Sequence, residues 1–127
     1  MPITFTTDPE RRRNLATATG PVTYSEITAH LDELKAAGVL SWSELVDGTG
    51  ATAAVTPAEV RRVVEFLRDL AEEYPLGATA LVVGDDATFG MARMLGTLAE
   101  ELCDVRPFRR REDAEAWLDS VANRSSE

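Results

Sequence analysis

Three aspartates follow two apolar runs of the sequence, at positions where carboxylates often do chemistry. Asp47 ends the run WSELVD, whereas Asp85 and Asp86 follow the continuously apolar Ala80–Val83. If both runs are parallel strands, their carboxyl ends meet at one rim of a sheet, where ligands bind in open α/β folds. Three carboxylates there could hold Mg²⁺ for phosphoryl transfer, as in a receiver domain. This is the one enzyme hypothesis that the residues suggest, and we rank it last of three.

The turn GDDATFG, residues 84–90, joins the second apolar run to a helix. Phosphate-binding turns present free backbone N–H groups at a helix N-terminus, usually with a lysine nearby. No lysine follows this turn, because the single lysine of the chain, Lys35, falls on the first predicted helix. Asp85 and Asp86 would repel a phosphate and would themselves favour the positive end of the helix. The turn therefore predicts helix caps and no phosphate site.

The helix that follows, predicted over residues 89–102, carries Phe89, Met91 and Met94. Methionine adapts to irregular shapes, so these side chains could line an apolar pocket against the sheet. Their helical spacing also suits ordinary core packing. The second function hypothesis is therefore a binder or sensor of a small apolar ligand held between this helix and the sheet.

Small residues form a second ridge on the same helix, at Ala92, Gly96, Ala99 and Cys103. Such a ridge lets another helix approach closely, either within the chain or across a homodimer interface. Phe66 falls off the apolar stripe of the preceding helix and adds to the dimer hypothesis as an exposed aromatic side chain.

No set of residues forms a recognisable catalytic or metal centre. His30 is the only histidine, and its position near an apolar stripe indicates a structural role. Cys103 is the only cysteine and has no paired spacing for zinc. Because no nucleophile, base and orienting group converge by spacing, we predict a non-enzyme without a metal or cofactor.

Composition limits the partners and the compartment. The net charge is −9, and the acidic balance argues against nucleic acid as the main partner. Two arginine triplets, residues 11–13 and 109–111, are expected to be solvated. A lone cysteine fits a reducing cytoplasm. Residues 1–13 show no basic segment followed by an apolar stretch, so no signal peptide is expected, and no apolar run of the sequence reaches bilayer length. We therefore predict a cytoplasmic protein with no membrane span.

The order of elements is predicted to be β-β-α-β-α-β-α-β-α. An N-terminal hairpin is expected to end at Gly20-Pro21, and a third strand to cover residues 42–47 with a loop over 48–55. Thr23 with Glu26 and Thr56 with Pro57 indicate helix starts. This pattern predicts one α/β domain over residues 1–122, with a mixed sheet of about five strands and four helices, followed by a polar tail over 123–127.

The chain resembles small bacterial proteins of unknown function with a SpoIIAA-like fold, through its unit of a strand followed by GDD-x-x-FGMARM. These proteins are similar to the STAS domains of anti-sigma-factor antagonists and sulfate transporters. The ending with Phe108, Ala114, Trp117 and Leu118 carries the same resemblance. The resemblance implies a non-enzymatic domain for protein interaction or ligand sensing. The phosphorylated Asp-Ser-Ser/Thr-Gly motif of the antagonists is missing from this sequence.

The nearest positions to that motif are residues 47–50, which read Asp-Gly-Thr-Gly, and Thr56. We therefore carry over no phosphorylated residue. The first function hypothesis is a cytoplasmic, non-catalytic interaction or regulatory module whose partner is another protein or a second copy of the chain.

Overall fold

A computed structural model describes residues 2–125 of the chain. The strands are β1 (Ile3–Asp8), β2 (Arg13–Val22), β3 (Ser43–Ala53), β4 (Thr79–Val83) and β5 (Val105–Phe108). The helices are α1 (Tyr24–Ala36), α2 (Pro57–Ala71), α3 (Asp86–Leu98) and α4 (Arg111–Ser125). The predicted order of elements is thus confirmed.

The five strands form one mixed sheet in the spatial order β1-β2-β3-β4-β5. β1 pairs antiparallel with β2, and every later pair is parallel. Pro107 lies in β5, which is an edge strand of the sheet. Its missing N–H therefore removes no hydrogen bond on the side of β5 that has no neighbouring strand. The sequence prediction of a mixed α/β sheet with an antiparallel hairpin is correct.

Two helices begin where the capping pattern predicts. Thr23 accepts a hydrogen bond from the backbone of Glu26, and the Glu26 carboxylate accepts one from the backbone N–H of Thr23. Thr56 and Glu59 form the same reciprocal pair ahead of α2, with Pro57 in the first turn. Each box satisfies backbone donors that a helix start leaves unpaired, so both boundaries are set locally.

Several predicted boundaries are wrong. β2 continues through Gly20-Pro21 to Val22, and β3 continues to Ala53 where a loop was predicted. The glycine-rich ends of these strands lack an apolar pattern, but each pairs with the other, from Thr19 with Gly50 to Val22 with Ala53. Backbone pairing between neighbouring strands therefore overrides the local turn signal.

The third helix is shorter than predicted at one end and longer at the other. α3 begins at Asp86 because Asp85 caps it, and it ends at Leu98 in place of 102. α4 extends to Ser125, so residues 123–125 of the predicted polar tail are helical. The remaining tail residues, 126 and 127, lie outside the described residues, and the 1–122 domain boundary stays a prediction.

The helices cover the two faces of the sheet unequally. α4 packs alone on one face, here called the α4 face, through Ala114 and Leu118 against Leu45, Ala80 and Val82. Trp117 and Phe108 complete that cluster, with ring centroids 5.7 Å apart. The opposite face, here called the cavity face, carries α1, α2 and α3.

One arginine that we expected to be solvated is part of the α4 face. Arg13 is buried in β2, and its guanidinium donates to the Asp119 carboxylate of α4 at 2.9 Å. It also contacts the Ser43 hydroxyl at 3.4 Å. The strand pleat turns Arg13 toward α4, so this residue joins a helix to the sheet, whereas Arg11 and Arg12 are exposed as expected.

Candidate ligand-binding cavity

A cavity of about 220 Å³ lies between the cavity face of the sheet and helices α1–α3. Its wall is predominantly apolar and includes Leu31, Leu34, Val60, Val63, Leu67, Leu81, Val83 and Leu95. Trp42, in the segment that leads from α1 to β3, also belongs to the wall.

Small side chains on the sheet explain why this space exists. Ala18 of β2 and Gly48, Ala51 and Ala53 of β3 line the cavity from below, and Ala92 of α3 lines it from the side. Each of these positions contributes at most one side-chain carbon to the wall. The helices rest on larger residues around this region, so the middle stays unfilled.

Three polar residues interrupt the apolar wall at one place. His30 Nε2 lies 2.9 Å from Glu44 Oε2, and both side chains are buried, at 8% and 7% exposure. Asn14 of β2 is the register partner of Glu44 in β3, so the two residues lie side by side. All three line the cavity. They are defined here as the polar cluster.

Two atoms of the polar cluster have no hydrogen-bond partner among the described residues, although they are buried. These atoms are Asn14 Oδ1 and His30 Nδ1. Asn14 Nδ2 donates to the Val39 carbonyl at 3.1 Å, and since a carbonyl only accepts, this contact fixes which end of the amide is left free. Burying a polar atom without a partner is costly, so these two atoms mark a place that favours a polar guest.

The aspartates at the rim of the sheet do not converge on a metal site. Asp47 accepts from the backbone and hydroxyl of Thr49, and these hydrogen bonds lower the pKa of its carboxyl. Asp85 accepts from the backbone and hydroxyl of Thr88 at 2.8 Å each, which lowers its pKa in the same way. Asp86 is 97% exposed and pairs with Arg109.

Each of these carboxylates thus has its own local partner. In the part of the chain that the structure describes, no group of three or more histidine, cysteine or acidic residues could hold a metal ion. The structure therefore gives no support to the hypothesis of a Mg²⁺ site at Asp47, Asp85 and Asp86. The prediction of helix caps at the turn is correct, because Asp85 caps α3.

The three α3 side chains predicted to contact a ligand are separated by the structure. Met91 lines the cavity, whereas Met94 is half-buried and outside its wall. Phe89 lies in a different, open groove that also contains Trp117. The guanidinium carbon of Arg109 lies over the Phe89 ring, 4.7 Å from its centroid. Residues two apart on a helix point in different directions, which separates Phe89 from Met91. Met94 is three residues from Met91, near the same face of the helix, but only Met91 reaches the wall.

The small-residue ridge of α3 packs within the chain. Ala92 and Ala99 are buried, and Ala99 contacts the Val63–Leu67 side of α2. Gly96 lies against β5 so closely that a Cβ there would be 2.2 Å from the Val105 carbonyl oxygen. Phe66 is half-buried against the cluster that contains Leu70. The homodimer interface predicted at these residues therefore gains no support from their exposure.

Sequence reasoning missed Asn14 and Glu44 and gave His30 only a structural role. A signal for them exists, because strict alternation along SELVD places Glu44 on the same face as Val46. An acidic residue on an inward face needs a buried partner, and His30 on the apolar side of α1 is the available one. Cys103 also lines the cavity, where burial raises the pKa of its thiol to about 11.

Comparison with solved structures identifies the fold. The chain is similar to the crystal structure of an uncharacterized protein of the DUF3478 family with a SpoIIAA-like fold, from Shewanella loihica PV-4. The TM-score is 0.61 at 14% identity, over 91% of this chain and 93% of that chain. The protein is therefore an α/β domain of SpoIIAA-like fold, as the sequence resemblance implied.

Comparisons at the level of sequence add nothing to this assignment. No family model matches the chain, and no curated protein matches it. Among the described residues, no helix is long and apolar enough to cross a membrane.

Proposed function

We propose that this protein is a non-catalytic module that binds a small, mostly apolar molecule in the cavity beneath α1–α3. The observation that supports this function is the cavity itself, about 220 Å³ with an almost wholly apolar wall. An apolar cavity of about 150 Å³ in another protein holds benzene. The space here accordingly suits one aromatic ring or a short branched chain with a few substituents.

The non-catalytic part of the proposal rests on the groups that line the wall. His30, Glu44 and Cys103 are its ionisable residues. With a pKa of about 11, the Cys103 thiol stays protonated at neutral pH and is a poor nucleophile. Without an activated nucleophile or a metal-binding group in the described residues, the wall favours holding a molecule over transforming it.

Regulation through a protein partner or a second copy of the chain has weaker support. The large hydrophobic residues that are exposed in the described chain, Tyr74 and Leu98, follow or belong to different helices. Isolated apolar residues are normal on the surface of a monomer and do not form an interface. We therefore rank this hypothesis second.

A titration of the full-length protein with toluene, followed by two-dimensional NMR, tests the proposed function. We expect shifts in the residues of β2–β4 that face the cavity and in α1–α3. Ala92→Leu should abolish them, because three more carbon atoms then enter the cavity. Ala116→Leu is the matched control, since Ala116 is exposed on α4 and the same substitution should leave toluene binding unchanged.

Two results would contradict the proposal. One is the lack of any shift at millimolar toluene, and the other is toluene binding that survives in Ala92→Leu. Native mass spectrometry of the protein purified without denaturation provides an independent check, because a retained small molecule should be found with the unaltered protein and not with Ala92→Leu.

A further inference from the structure

From the polar cluster we infer the chemical class of the bound molecule: a small aromatic or branched apolar compound that carries one neutral hydroxyl group. This inference rests on the proposed function and adds to it the group that the wall recognises. It is drawn from Asn14, His30 and Glu44, which line the mostly apolar cavity and include two buried polar atoms without a partner among the described residues.

Asn14 sets the first requirement. Its side chain is 1% exposed, and its amide nitrogen already donates to the Val39 carbonyl. The free atom is therefore the oxygen, which only accepts. A guest that completes this atom must donate a hydrogen bond, which an ether, a ketone or a carboxylate cannot do.

His30 sets the second requirement. His30 Nε2 lies 2.9 Å from Glu44 Oε2, so the free nitrogen is Nδ1, and an ionised Glu44 requires the proton to be on Nε2. In a neutral imidazole Nδ1 accepts a hydrogen bond, and in an imidazolium it donates one. A hydroxyl can be donor and acceptor, so its chemistry matches either form of His30 as well as the free oxygen of Asn14.

The charges of the wall exclude ionic guests. No lysine or arginine occurs among the described residues that line the cavity, and the one histidine is already paired with Glu44. A carboxylate would therefore approach Glu44 and the Asn14 oxygen without a free cation. An ammonium would leave water for an apolar space, and it cannot accept a hydrogen bond from His30 when that residue is an imidazolium. A neutral hydroxyl avoids both costs.

Phenol and toluene provide the test, because they differ in one hydroxyl in place of one methyl group. In the unaltered protein, we expect phenol to shift the side-chain ¹⁵Nδ1 resonance of His30, and toluene to bind without that shift. His30 is the only histidine in the chain, so its resonance is unambiguous. Benzoate should bind at least about tenfold more weakly than phenol.

A double variant separates the polar cluster from the cavity. His30→Leu combined with Glu44→Leu removes both members of the pair and leaves no unpaired partner. In this variant we expect the ratio of phenol affinity to toluene affinity to fall about tenfold. If the variant does not fold, the His30 resonance of the unaltered protein decides the question.

The outcomes distinguish the two proposals. If toluene binds but phenol leaves the His30 resonance unmoved, the hydroxyl inference is wrong and the proposed function stands. Benzoate that binds as tightly as phenol also overturns the inference, as does an unchanged affinity ratio in a folded double variant. If toluene does not bind, the proposed function itself is wrong.

Discussion

The two faces of the sheet are built differently, although the same strands supply both. On the α4 face, Leu45 of β3 meets Leu118 of α4, which is 1% exposed, and the space between them is filled. On the cavity face, the next residue of the same strand, Val46, borders a space of about 220 Å³. β3 therefore packs closely against α4 on one face and borders the cavity on the other.

Stability and binding can therefore be assigned to opposite sides of one sheet. Close packing gives the largest dispersion and burial energy, so the α4 face supplies more stability for each side chain. The cavity face gives up part of that packing and buries the polar cluster, in which Asn14 Oδ1 and His30 Nδ1 are unsatisfied. Such a cost is expected at a site that a ligand completes.

The largest loss of stability is expected from truncating a leucine on the α4 face. Leu118→Ala should lower the free energy of unfolding by about 4 kcal/mol, because the close-packed neighbours cannot relax into the gap. Leu34→Ala, on the cavity side of α1, should cost about 2 kcal/mol, since this leucine already borders unfilled space. Urea denaturation measures both. Equal losses would contradict the distinction between the two faces.

A somewhat smaller effect is expected from breaking the buried pair. Glu44→Leu leaves His30 without its partner and should cost about 3 kcal/mol, at the lower end of the range for breaking a buried pair. Adding His30→Leu should restore part of this loss, because the unpaired polar group is then removed. Thermal unfolding of the single and double variants tests this coupling. Additive losses would show that the pair is not a unit.

The smallest effect is expected from Cys103, through pH. Burial raises the pKa of its thiol to about 11 from an ordinary value of 9.0, so the folded state holds this proton more tightly than the unfolded chain. The stabilisation of the folded state that comes from this tightly held proton is therefore present below about pH 9 and is lost as the pH rises toward about 11. Cys103→Ser has no thiol and should show a flatter decline in melting temperature over this range. If the melting temperatures of the unaltered protein and of Cys103→Ser fall equally over this range, the folded state does not raise the pKa of the thiol.

The sequence contains most of the information that defines the fold. Capping boxes at Thr23 and Thr56 fix two helix starts through contacts between residues three apart, so they can be predicted locally. The ends of β2 and β3 could not be predicted, because Gly20 and Gly50 become strand residues only through pairing with each other's strands. Long-range backbone pairing leaves little trace in a local window.

The candidate site was predictable only in its general position. The expectation of an apolar pocket between α3 and the sheet agrees with the wall at Met91, but it included Phe89 and Met94, which lie elsewhere. The polar cluster brings together β2, α1 and β3, and the sequence gives no distance between Asn14 and His30. Only the register of the sheet places Asn14 beside Glu44.

The two tryptophans of the chain divide between the two faces. Trp42 belongs to the cavity wall, and Trp117 packs with Phe108 beneath α4. Indole fluorescence responds to its immediate surroundings, so each face has its own optical reporter. Replacing Trp117 with phenylalanine would leave emission from Trp42 alone, and the arrival of a guest could then be followed by light, without a label.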